Sequence, residues 1–255
     1  MKLWVLMENT AREGFSCEHG LSLYIEACNR RILFDAGQSP AFTENAQKLG
    51  LDLSKVDIAI LSHGHYDHSG GMNRFLETNH TSPLYLSRYA FEPHHNASGK
   101  FIGIDAALAD CGRLAFVDDE IALDPGLRLL SCNTMSHPYP TDSCGLTANG
   151  QPEDFRHELY LSIEENGQRI LISGCSHKGI LNIVHWFNPD ILVGGFHFKT
   201  IDPNDPRLTA AAEELHRFPT AYYTGHCTGQ AQFDAMKPIL GWQLTAIHAG
   251  DFFEF

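Results

Sequence analysis

Long apolar runs, cationic side chains and orderly cysteine spacing are all scarce in this chain of 255 residues. No apolar run approaches the roughly 20 residues that span a bilayer, so no membrane partner is expected. The opening Met1-Lys2-Leu3-Trp4-Val5-Leu6-Met7-Glu8 is too short for a secretion signal and turns acidic at once; it reads as a first strand. Lys and Arg total 18 against 31 Asp and Glu, a formal charge of −13. Such a balance repels phosphate backbones and argues against nucleic acid bound over a broad basic face. A small anionic substrate held by local cations or metals stays permitted. The seven cysteines (Cys17, Cys28, Cys111, Cys132, Cys144, Cys175 and Cys227) are odd in number and scattered. That pattern suggests a reducing compartment, with the cytoplasm as the expected location. Repeats, linkers and low-complexity tracts are absent, so one domain over 1–255 is the economical expectation. Association of identical chains is left open.

What is present is a succession of short strands and helices. Strand patterns fall at 3–7, 21–26 and 31–34, and a helical segment at 43–49 stops at Gly50. A buried strand at 56–61 is followed by a helix from about Gly71 to Glu77 and a strand at 84–86. Residues 88–105 and 136–154 read as loops, with a strand at 127–130 between them. Strands at 158–164 and 169–173 flank Asn166-Gly167, the chemistry of a tight hairpin turn. Helices at 180–187, 209–217 and 231–240 alternate with strands at 190–195, 220–224 and 244–248. Two strand-rich halves with helices outside make an α/β layered fold the expectation.

The chemistry is concentrated in Ser62-His63-Gly64-His65-Tyr66-Asp67-His68-Ser69-Gly70-Gly71, directly after the strand at 56–61. Neutral imidazoles and a carboxylate are ligands suited to Zn, Mn or Fe. His63 and His65, two apart, project to one side of extended backbone. Asp67 and His68 follow in a turn and can aim at a second ion, about 3.5–4 Å from the first in hydrolytic two-metal sites. Four more histidine segments also follow apolar runs: Gly174-Cys175-Ser176-His177, Gly194-Gly195-Phe196-His197, Thr224-Gly225-His226-Cys227 and His248-Ala249-Gly250-Asp251. Side chains collected at strand ends are how α/β enzymes assemble a site from distant sequence.

These residues resemble the metallo-β-lactamase superfamily over nearly the whole chain. The resemblance implies a four-layer αββα sandwich with one or two divalent metal ions between the sheets, zinc first, manganese or iron as alternatives. It implies that Asp35, in Leu33-Phe34-Asp35-Ala36-Gly37, supports the site by hydrogen bonding. His63 and His65 would serve one metal, Asp67 and His68 the other, and His226 would complete the second. Asp67 is also the expected catalytic residue, orienting a metal-bound hydroxide. The chain departs from the family pattern twice. Where an aspartate usually bridges the metals it has Gly174-Cys175, and before the hairpin it offers only His157, or more distantly His137. His177 is the expected substitute; in extended backbone it points the same way as Cys175, which is a possible ligand.

The other histidines are read as follows. His197 is a substrate-facing or packing imidazole that tuning could make a general acid. His157, heading a strand, is expected to be exposed; His94, His95 and Lys100 either meet an anionic substrate or sit in a solvated loop. His248 and Asp251 carry little signal, and His19, His80, His185 and His216 read as surface or packing residues. The combination of Ser173–Ile180, Gly194–His197 and Gly225–Gly229 is similar to a branch named for a dihydropterin ribofuranosyl-aminobenzene phosphate synthase. The leading expectation is a metal-dependent hydrolase that turns activated water on an ester, amide or phosphoester of a small anionic substrate. Alternatives are a lyase or transferase on a pterin-like phosphate, an iron redox enzyme, and a metal- or ligand-binding protein without catalysis.

Overall fold

A computed structural model describes residues 1–255. The first half contributes β1 (Lys2–Met7), β2 (Ser22–Ala27), β3 (Arg30–Phe34), α1 (Phe42–Lys48), β4 (Ile58–Ile60), α2 (Tyr66–Ser69), α3 (Met72–Thr78), β5 (Leu84–Ser87), β6 (His94–His95) and β7 (Leu114–Val117). The second contributes β8 (Glu120–Asp124), β9 (Leu127–Leu130), β10 (Thr147–Ala148), β11 (Gln151–Pro152), β12 (Tyr160–Glu165), β13 (Gln168–Ile172), α4 (Ile180–Phe187), β14 (Ile191–Val193), α5 (Pro206–His216), β15 (Ala221–Thr224), α6 (Gln230–Leu240), β16 (Leu244–Ala246) and β17 (Phe252–Glu254). Two seven-stranded sheets result, ordered β17-β1-β2-β3-β4-β5-β7 and β16-β15-β14-β13-β12-β9-β8, with a small sheet β11-β10-β6 beside them. No helix is long and apolar enough to cross a membrane.

The strand periodicity of two dictates the layers. Leu23, Ile25, Ile32, Phe34, Ile58 and Ile60 face the second sheet, where Ile170, Ile172, Ile191 and Val193 meet them in one core. Their neighbours Tyr24, Leu33 and Ala59 point the other way, against Phe42 and Ala46 of α1 and Met72 and Phe75 of α3. Likewise Leu171, Leu192 and Tyr222 pack outward against Ile183 of α4, Leu208 and Leu215 of α5 and Met236 of α6. Strands buried on both faces must be apolar without alternation, as the 58–61 and 170–172 runs are. The architecture is the four-layer αββα sandwich.

The parallel strands aim the site. β3, β4, β5 and β7 run parallel in one sheet, and β13, β14, β15 and β16 in the other. The loops leaving the C-terminal ends of β4, β13, β14 and β15 carry the four histidine segments at 62–71, 174–177, 194–197 and 225–227.

Several elements differ from the sequence reading. The hairpin turn is as expected, with Asn166 and Gly167 both at positive φ. Its first strand begins only at Tyr160, because the Leu159 N–H donates to the Ser62 carbonyl (2.7 Å) across the sheets. The two expected loops each contain strands, since β6 pairs with β10 and β10 with β11. β7, β8 and β17 were not predicted: each is short and half-exposed, and β17 is made a strand by pairing with β1.

Candidate metal centre

Asp35 organises the loop that leaves β4. Fully buried, it accepts the Ser62 N–H at Oδ1 (2.7 Å) and the Ser62 hydroxyl at Oδ2 (2.6 Å). The same Oδ2 lies 2.6 Å from His68 Nδ1, which donates to it. With its own proton given to Asp35, Ser62 Oγ accepts from His63 Nδ1 at 2.8 Å. One carboxylate thereby leaves the Nε2 lone pairs of two imidazoles, His63 and His68, pointing away from it. Gly174 is required beside this chain, because a Cβ there would stand 2.3 Å from Ser62 Oγ.

His226 is oriented in a comparable way. Asn9 accepts the Gly20 N–H at Oδ1 (3.3 Å), so that oxygen is an acceptor and the His226 Nδ1 at 2.9 Å donates to it. Its backbone N–H donates to Glu8, and a Cβ on Gly225 would meet that carboxylate at 2.7 Å. His226 Nε2 then lies 3.2 Å from His68 Nε2, and Cys175 Sγ is 3.2 Å from His68 Nε2 as well. Burial lowers the pKa of His68, but Asp35 and Asp67 outweigh it and hold it at about 9. A divalent cation among these three groups would take the place of the proton on His68 Nε2. Asp67 Oδ2 joins them, 3.4 Å from His226 Nε2 and 3.2 Å from His19 Nε2. Burial alone would raise its pKa; His19 and His226 hold it well below the carboxylate range.

His63, His65 and His177 form an adjoining triangle, with ring centroids 4.6, 4.9 and 5.0 Å apart. The His177 and Lys178 N–H groups donate to the buried Glu158, 2.7 and 3.1 Å, and Phe155 stacks on the His177 ring at 4.7 Å. Burial holds His63 and His177 far below the ordinary imidazole pKa and His65 at about 3, so all three are neutral. The buried side-chain nitrogens and oxygens lacking any hydrogen-bond partner all belong to this neighbourhood: His63 Nε2, His65 Nε2, both nitrogens of His177, and atoms of His94, Glu153 and His157. Buried polar atoms are normally satisfied, so the partnerless His63 and His177 nitrogens mark a place built for something else. The residues His63, Cys175 and His177, the residues His68, Cys175 and His226, and the residues His19, Asp67 and His226 each bring ligand atoms within 4.8 Å of one another. The donor set fits a divalent metal.

A cleft of about 460 Å³ opens onto these groups, lined among others by His19, His65, Asp67, Cys175, His177, His197, Lys199 and His226. Its far wall is Asn96–Ser98 and Cys144–Leu146, from the loops that carry the small sheet. His197, held at positive φ, packs 4.2 Å from His177. Burial and Lys199 push its pKa down to about 4, so its ring is neutral at pH 7. His157 is fully buried, against the expectation of exposure, as is His94; neither lines the cleft. Sequence spacing gave no sign that His19 joins these groups, for its partner Asp67 is 48 positions away and His19 arrives only through the segment after β1. His248 and Asp251 pair with each other (3.2 Å) and Asp251 with Arg12, outside the centre.

Comparison with known proteins agrees with this geometry. Residues 16–145, just over half of the chain, match the model of the metallo-β-lactamase superfamily. The chain belongs to that superfamily. It is 28% identical, over 100% of its length and 97% of the relative, to the 7,8-dihydropterin-6-methyl-4-(beta-D-ribofuranosyl)-aminobenzene-5'-phosphate synthase of Methanocaldococcus jannaschii. An uncharacterized protein of the same organism is 28% identical over 78% of this chain and 80% of its own length. Among solved structures, Tm1679, described as a metal-dependent hydrolase of the beta-lactamase superfamily, superposes with a TM-score of 0.84 at 26% identity, covering 100% of this chain and 99% of that one. Zinc-bound PqqB from Methylobacterium extorquens shares the fold at 14% identity, TM-score 0.61, over 100% of both chains.

Proposed function

We propose that this chain is a metal-dependent hydrolase acting on an ester, amide or phosphoester bond of a small anionic molecule. The observation that carries the reading is that His226 Nε2 and Cys175 Sγ each lie 3.2 Å from His68 Nε2, with the outer nitrogens of both rings already committed to Asp35 and Asn9. In this reading His63, His65 and His177 hold one divalent ion, and Asp67, His68 and His226 a second, with Cys175 between them. Imidazole, thiol and carboxylate together favour zinc, with manganese or iron as the alternatives. An ion bound there supplies a Lewis acid and water acidified toward neutral pH.

The chain's own residues do the rest. The ionised Asp67 carboxylate, buried at the cleft floor, is an acceptor that orients a water proton. Lys199, its Nζ 3.3 Å from His19 Nε2, is the one ammonium group lining the cleft and suits an anionic group of the substrate. His197, neutral at pH 7, offers the substrate a hydrogen-bonding imidazole. In a chain of net charge −13 these local donors, with the ions, decide where an anion lands.

The test is turnover of chromogenic phosphodiester, carboxylester and thioester reporters by the zinc- or manganese-loaded chain. Turnover that disappears in His63→Ala, with the circular dichroism spectrum retained, supports the hydrolase; turnover indifferent to that change overturns it. A second reading is favoured by the relative that aligns over the full length and is named a synthase. It is a lyase or transferase on a pterin-bearing phosphate, revealed if such a compound is converted while every hydrolytic reporter stays intact. Tight ligand binding with no conversion of any compound would indicate a binding protein.

A further inference from the structure

Behind His65, on the side away from the cleft, lie His94, Glu153 and His157, all buried. With His65 they bring potential ligand atoms within 4.8 Å of one another, which has the composition of a further cation site. Two observations speak against a shared ion. The His94 and His157 rings are stacked, centroids 4.1 Å apart with 24° between planes. Lone pairs lying in nearly parallel ring planes do not meet at the roughly 2.0–2.1 Å that zinc requires of imidazole nitrogen. Second, the Gly64 N–H donates to His157 Nδ1 at 2.7 Å. Because Nδ1 accepts that bond, the ring's single proton sits on Nε2 and no lone pair is left there for a metal.

The same atoms make sense as a carboxylate–imidazole pair set behind His65. Glu153 Oε2 accepts from His94 Nδ1 at 2.9 Å, and its Oε1 faces His157 Nε2 at 3.4 Å. With its proton on Nδ1, His94 keeps the lone pair of Nε2, which has no partner. The neighbouring unpartnered atom is His65 Nε2, on a ring set edge-on to His94 (centroids 5.5 Å apart, planes at 81°). Gly64 permits this approach, since a Cβ there would stand 2.9 Å from His94 Nε2. His65 itself lines the cleft.

We propose that Glu153 and His94 are positioning residues that hold His65 with its proton on Nε2, leaving the Nδ1 lone pair for the metal. The inference rests on the metal-centre reading above. It assigns to His94 and Glu153 a role through His65, and no ion of their own. Groups that orient a ligating histidine typically change metal affinity 10–100-fold when removed.

Zinc titration of the full chain against a chromophoric chelator tests this, with His94→Phe, Glu153→Leu and Glu153→Gln alongside the wild type. His94→Phe keeps a ring to stack on His157 and deletes the acceptor; Glu153→Gln keeps an acceptor for His94. The expected result is unchanged zinc stoichiometry throughout, affinity lowered about 10–100-fold in His94→Phe and Glu153→Leu, and partial recovery in Glu153→Gln. ¹⁵N spectra of the metal-free chains should show His65 as the Nε2–H tautomer in wild type and as a mixture in His94→Phe. Should His94→Phe not fold, the two Glu153 variants carry both readouts. Loss of one zinc per chain in a variant would overturn the proposal in favour of a further ion, and unchanged affinity with an unchanged tautomer would overturn it outright. A wild type that takes up no zinc, manganese or iron would remove the metal centre itself, and this inference with it.

Discussion

Asp35 commands more of the centre than any ligand does. From one buried position it fixes the proton of His68 directly and that of His63 through Ser62. Two effects on metal binding follow, and they are separable by pH. Because Asp35 helps hold His68 at about 9, an ion entering below that pH must displace a proton. Apparent affinity in the wild type should therefore weaken as pH falls from 9 to 6, by up to about tenfold per unit from His68 alone. Asp35→Asn should flatten that slope, and at pH 9 should still weaken binding roughly 10–100-fold because the rings lose their orientation. Titration at pH 6, 7.5 and 9 would show both; a variant with the wild-type slope would refute the assignment. The sequence reading reached the ligand candidates because His63, His65, Asp67 and His68 are contiguous and each later histidine follows a strand. It left His19 as a surface or packing residue, passed over Glu153 and gave His94 to a substrate contact or a solvated loop, because their partners are distant in sequence and come together only in the folded chain.

The parallel strands set the spacing between the two halves of the site. β4 and β13 deliver His63 and Cys175 from opposite sheets, and their registry depends on the core between them, where Ile60, Ile170 and Ile172 are buried. Leu171 is buried on the outer face of β13 against the helices, outside the core between the sheets. Leu171→Ala should cost about 2–5 kcal/mol of stability through the lost burial and the cavity left behind. Denaturant unfolding of the metal-free chain measures that cost, and zinc affinity should change far less than in Asp35→Asn; an equal loss of affinity would mean that the strand, and not the hydrogen bonds, fixes the ligands. The strands buried on both faces were legible because they are apolar without interruption. β7, β8 and β17 were not, since half-exposed strands of three to five residues carry too little pattern and depend on their pairing partners. The two-residue strands of the small sheet, whose flanking loops reach the cleft, were equally hidden in loop-like composition.

At the scale of the whole molecule, the chain gathers neutral imidazoles in its interior and pays for them in acid. His65 is held at about 3 and His226 at about 4 by burial, and His63, His157 and His177 lie far below 6.5 for the same reason. A folded-state pKa below the unfolded value means that stability is fully present above about 6.5 and is lost as pH falls toward the folded values. Each such group contributes about 1.4 kcal/mol per pH unit through that window. The metal-free chain should therefore unfold steeply between pH 6 and 4, and bound zinc should move the midpoint to lower pH; an acid transition indifferent to zinc would contradict this. The layered fold was legible from the alternation of strands and helices, whereas the burial of His157 was not, because the strand it was taken to head starts three residues later. The most direct test of the central claim is X-ray absorption at the metal edge of the full chain after dialysis against zinc, manganese or iron(II). The account predicts a stoichiometric ion whose nearest shell shows several imidazole nitrogens, lost together when His68 and His226 are both changed to alanine; a chain that retains no ion under any of the three conditions would contradict it.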